Sequence, residues 1–187
     1  MAVQPISDSF LLTIASIAAT LLGLLLLGAF YYVETGLRRA TAVAPRGGPF
    51  LKATTRVTML LYTLVLGVAL GLVVLEPLWL AVLYVLIGLT LLRAVGEWTL
   101  RYRDLRKILP IPRESPWITW PAVLFTLALP WVLGGWEPGR EAMTWSLFLA
   151  GGLAISSTVG LVLTSFDLAH WDQAAQGTAR QAEEDAD

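Results

Sequence analysis

Residues 57–75 read VTMLLYTLVLGVALGLVVL, Glu76-Pro77 interrupts, and residues 78–92 resume as LWLAVLYVLIGLTLL. Neither run contains a charged side chain. A helix rises 1.5 Å per residue, so roughly 20 apolar residues span a hydrocarbon core of ~30 Å. The first run reaches that length unaided; the second reaches it with the turn containing Arg93. Their link predicts a tight helical hairpin, because Pro77 can open a helix where the N–H it lacks has no intrahelical acceptor. Glu76 then reads as a turn residue near the membrane surface.

Outward from this hairpin the pattern repeats. Residues 10–33, 117–136 and 142–166 are also free of charge. With 56% hydrophobic and 14% charged residues, the chain is far more apolar than a soluble domain. The expected fold is all-α: a polytopic transmembrane helical bundle with five membrane-spanning helices. Its transmembrane domain covers residues 1–171, with helices at about 8–37, 55–75, 77–108, 117–136 and 142–170. Residues 172–187, rich in Ala, Gln and acid and interrupted by Gly177, are expected to form a mobile acidic cytoplasmic tail. The first run lacks a basic leader and is about twice the length of a signal-peptide core, so it reads as a helix and not as a cleavable signal.

Eleven of the thirteen Lys and Arg residues fall in two stretches between apolar runs. One holds Arg38, Arg39, Arg46, Lys52 and Arg56; the other holds Arg93, Arg101, Arg103, Arg106, Lys107 and Arg113. Loops rich in Lys and Arg stay cytoplasmic. The expected orientation therefore puts the N-terminus outside and the C-terminus in the cytoplasm, in a membrane of the bacterial inner (plasma) type. Contact with the lipid bilayer is expected to include anionic headgroups at the cytoplasmic face, through Arg38, Arg39, Arg46, Lys52 and Arg56, at ~1 kcal/mol per basic residue. These residues are better explained by membrane orientation than by nucleic-acid binding. The absence of cysteine excludes thiolate catalysis and thiolate metal ligation by this chain.

Local signals refine the elements. Ser7 or Asp8 is placed to cap the first helix. The run Ala44-Pro45-Arg46-Gly47-Gly48-Pro49 reads as a helix breaker. Arg93, Glu97 and Arg101 recur every four residues and support a helical extension beyond the third span. Pro130 is expected to bend the fourth helix. Tryptophans 79, 98, 117, 120, 131, 136, 145 and 171 all read as interfacial anchors.

Three patterns carry whatever chemistry the chain has. On the first helix, Ser9, Thr13, Ser16, Thr20 and Gly23 alternate spacings of four and three, and Leu27, Phe30 and Glu34 continue the same seam. A polar seam ending in a carboxylate suits either a water-filled path or a partner helix. Small-residue stripes follow on the second helix (Gly67, Gly71) and on the fifth (Gly152, Ser156, Gly160, Thr164). In lipid, close backbone approach through small residues is a main source of helix association, inside a protomer or between protomers. Arg93 and Glu97 form an expected membrane-boundary ion pair, with the arginine snorkelling to the headgroups. His170, the one histidine, reads as part of a solvated helix end; a nitrogen-ligated metal centre would need more such donors.

No phosphate-binding loop, nucleophile elbow, zinc-hydrolase motif or dinucleotide turn occurs. No cofactor and no metal are expected. The first expectation is a non-catalytic membrane subunit or scaffold that assembles through small-residue helix faces. Its partners would be copies of itself, in a homo-oligomer, or another membrane protein. The alternative is a homo-oligomeric channel or small-solute transporter lined by the seam of the first helix. A membrane enzyme acting on lipid stands third.

Overall fold

The computed structural model describes residues 6–39, 44–106, 116–135 and 139–184, with side chains at 6–28, 50–103, 117–135 and 139–163. Among the described residues there are five helices and no strand: α1 Asp8–Arg39, α2 Ala44–Val74, α3 Pro77–Arg106, α4 Pro116–Gly134 and α5 Arg140–Glu184. Each contains a stretch long and apolar enough to cross a membrane. The chain has the architecture of a helical membrane protein.

Ser7 caps α1, its hydroxyl accepting the Phe10 N–H at 3.3 Å. At the other end of the hairpin's first helix, α2 begins at Ala44, eleven residues before the expected start at 55. The supposed breaker is part of the helix. Pro45 falls in the first turn, where a missing N–H costs nothing, and Pro49 forfeits only the bond to the Pro45 carbonyl. The next residues, Phe50 and Leu51, are buried. The Phe50 ring packs at 6.2 Å from Trp98 and 6.3 Å from Tyr102, which stack on each other at 5.5 Å. This aromatic cluster holds the early turns of α2 against the end of α3.

Nor does Gly177 interrupt the last helix. α5 continues as helix through Gly177 to Glu184, giving 45 residues, or ~68 Å at 1.5 Å per residue, more than twice the ~30 Å apolar core of a bilayer. A single glycine costs a helix only ~1 kcal/mol relative to alanine, and the flanking Ala, Gln, Arg and Glu residues favour helix.

The helix α2 is the hub, packing against α1, α3 and α5, while α4 lies mainly on α5 and touches α3 lightly. Half of the most apolar part of α2 is buried, against 17% for α1. Arg140 pairs with Asp8, and Phe10 packs on Phe148 at 6.0 Å, so α1 and α5 start side by side. At the opposite end, which carries the described basic residues Lys52, Arg56, Arg93, Arg101 and Arg103, α2 begins and α3 finishes. α4 ends in Gly135 at φ 67°, whose N–H bonds the Trp131 carbonyl at 2.9 Å. This left-handed cap favours glycine, which has no Cβ to clash.

Candidate functional site: helix faces and an interhelical groove

The three small-residue patterns meet different fates. A Cβ added at Gly71 would lie 2.6 Å from the Leu80 Cδ1, and one at Gly67 would lie 3.2 Å from the Ile87 Cδ1. The α2 stripe is therefore used within the protomer, to seat α3. In contrast, Ser9, Thr13, Ser16 and Thr20 on α1 are all exposed. It is Leu11, Ala15 and Ala18 that face the bundle. The seam's threonines bond back to their own helix, Thr13 to the Ser9 carbonyl at 2.8 Å and Thr20 to the Ser16 carbonyl at 2.9 Å. Such back-bonding quenches the hydroxyl without recruiting a neighbour. On α5, Gly152 and Ser156 are exposed and Gly160 is half-buried. A Cβ at Gly152 would meet open space. The side chains of Glu34, Arg38, Arg39, Arg46, Thr164 and His170 lie outside the described ones.

Glu97 sits between two arginines. Arg93 Nε donates to Oε1 at 3.3 Å, the spacing-of-four contact read from the sequence. Arg56 Nη1, from α2, donates to Oε2 at 2.8 Å. All three side chains are substantially exposed. Arg56 is thus engaged across the α2–α3 interface as well as facing the surface. Exposed pairs of this kind contribute little, of the order of 0–1 kcal/mol.

Trp98 departs from the reading of every tryptophan as an interfacial anchor. It is 3% exposed, and its indole N–H donates to Thr54 Oγ1 at 3.1 Å. Trp120 is half-buried and donates to Thr99 Oγ1 at 3.0 Å, tying the start of α4 to α3. Trp117, at 87% exposure, keeps the anchor role's geometry.

Two hydrogen-bonded junctions were not foreseen. The first joins α2 to α5, through Thr58 and Ser157 at 2.7 Å and Tyr62 and Thr158 at 3.1 Å. The second has a clear cause in the sequence. Pro130 has no N–H, so the Thr126 carbonyl one turn earlier loses its intrahelical donor. Tyr84 from α3 and Ser146 from α5 both reach that oxygen at 3.0 Å and lie 2.6 Å from each other. Two hydroxyl protons therefore serve a triangle of oxygens that includes the orphaned carbonyl. In an apolar interior an unsatisfied carbonyl is costly, so α3 and α5 together compensate for the proline in α4. Counting four residues back from Pro130 would have located the acceptor; nothing in the sequence located the donors.

Where α4 separates from α2, a partly open groove of about 230 Å³ remains. Its walls come from α2, α4 and α5, with Trp98 of α3 at one end. Comparison with protein-family models, curated proteins and solved structures finds no match.

Proposed function

We propose that this chain is a non-catalytic membrane subunit or scaffold that assembles, with itself first of all, through the outward faces of α1 and α5. The observation that carries this reading is the exposure of the whole Ser9–Thr13–Ser16–Thr20 seam on the least buried of the five spans. Small residues facing lipid gain little where they are, since lipid tails pack as well against leucine; facing another helix, they let backbones approach closely. Exposed Gly152 on α5 offers a second such face. The orientation goes with the reading: basic end in the cytoplasm, N-terminus outside, in a membrane of the bacterial inner type.

The test is native mass spectrometry of the protein extracted gently from its own membrane. The expected result is an assembly of more than one chain, reduced to single chains by Thr13→Leu with Ser16→Leu. A wild-type protein that runs as a single chain without foreign subunits would overturn it. One second reading has support of its own. A ring of protomers with α1 innermost would gather the seam of each copy around an axis and so line a path, making the protein a homo-oligomeric channel. Flux that disappears in Thr20→Leu while the assembly persists would decide for the channel.

A further inference from the structure

The groove between α2, α4 and α5 has a polarity gradient. α2 and α4 both run inward from the basic end, and α5 runs toward it. Thr54, Thr119, Ser156 and Ser157 therefore line the part of the groove nearest the basic end, beside Trp98. Leu61, Val123 and Leu153 line the deeper part. Thr54 and Ser157 are already engaged, with Trp98 and Thr58. Thr119 and Ser156 make no side-chain hydrogen bond among the described residues, although hydroxyls at membrane depth favour a partner. At the same basic end, Arg103 comes four residues after Thr99, on the face of α3 that meets Trp120 of α4. Its side chain is exposed and has no carboxylate partner among the described residues.

We infer that this groove binds one acyl chain of an anionic bilayer phospholipid. The chain lies along Leu61, Val123 and Leu153, the ester oxygens accept from Thr119 and Ser156, and the phosphate faces Arg103. The order of these groups follows the order of groups in the lipid, with charge outermost, ester acceptors at the boundary and hydrocarbon within. The site depends on the chain lying in a membrane but not on any oligomer, so it stands or falls separately from the proposed assembly.

The experiment is photolabelling of the full chain in nanodiscs. Phosphatidylglycerol or phosphatidylcholine carries the same diazirine-bearing acyl chain, and labelled residues are mapped by mass spectrometry. Residues 118–123 and 153–157 are expected to label well above residues 24–27 of α1, where Leu24 and Leu27 are 60% and 68% exposed to any annular lipid. Phosphatidylglycerol should label the groove more than phosphatidylcholine by about fivefold, the factor that ~1 kcal/mol for one basic residue near the surface implies. Arg103→Gln should abolish that preference. Ala122→Phe should empty the groove of label while residues 24–27 label as before, and Ser156→Leu, at an exposed position, gives the same loss without touching the core. Groove labelling no stronger than on α1 overturns the site, and equal labelling by the two lipids overturns the anionic headgroup.

Discussion

Helices α1 and α2 carry similar sequences to opposite ends. Both are long, both are apolar, and both bear small residues at helical spacing. Yet α2 lies at the centre, with its glycines turned onto α3, while α1 lies at the edge with its seam turned away. The difference resides in the opposite faces. In α1 the fully buried residues are Leu11, Ala15 and Ala18, with Ile14, Leu21, Leu22 and Leu25 packed beside them in a single strip. In α2 the buried face is broader, taking in Thr58, Leu61, Tyr62, Leu64, Val65, Val68, Ala69 and Gly71, while Thr63, Leu70 and Val74 stay exposed behind it. A helix whose packing face is broad enough to meet three neighbours becomes a hub and consumes its small residues internally. One with a narrow packing face leaves its small residues for lipid or a partner.

The strongest way to break this comparison is to enlarge a glycine on the hub. Gly71→Leu places a side chain where even a Cβ would sit 2.6 Å from Leu80, itself buried. Overpacking of this kind costs on the order of 3 kcal/mol. The protein should show a sharply lowered melting temperature in detergent, before any assembly is considered. If Gly71→Leu melted like the wild type, the glycine would not be what seats α3 against α2.

The next effect sharpens the picture at the α3–α4–α5 junction. Tyr84→Phe combined with Ser146→Ala leaves the Thr126 carbonyl without a donor and should destabilise by about 2 kcal/mol, within the range for an unsatisfied buried acceptor. The compensation argued above makes a further demand. Adding Pro130→Ala restores an N–H one turn from Thr126, so the double variant should lose less in that background than in the wild type. Denaturation measured for all four combinations checks this; a penalty independent of Pro130 would mean that the hydroxyls serve each other and not the carbonyl. Smaller again is Glu97→Gln, which releases Arg56 and Arg93 from an exposed pair and should cost under ~1 kcal/mol.

These contrasts also show which parts of the molecule can be read without a structure. The helices could be, because charge-free runs of spanning length are a property of consecutive residues. The turn at Glu76-Pro77 could be, because proline there acts locally. Burial of Trp98 could not, since it depends on Thr54 and Phe50 arriving from another helix. Pro49 and Gly177 misled for the same reason in reverse: local helix-breaking tendencies of about 1–3 kcal/mol yield to packing by Phe50 and Leu51, or to a run of strong helix formers. For the candidate sites, spacing named the small-residue faces but carried no information on which way each one turns. The groove, built by residues from four helices, left no trace in any single stretch.

The smallest expected effect on stability is the one most useful for function. A Cβ at Gly152 would meet open space, and Thr13 and Thr20 spend their hydroxyls on their own helix. Leucine at Gly152 or at Thr20 should therefore leave the protomer's melting unchanged within ~0.5 kcal/mol, as for ordinary surface substitutions. The same variants add a bulky side chain to faces proposed to meet a partner, where close approach depends on small residues. Assembly should fall in native mass spectra while the fold persists, the reverse of Gly71→Leu, which should damage the fold first. An assembly that survives leucine at both positions would move the interface off α1 and α5, and the outward turn of their small residues would then be a consequence of α2's position at the hub.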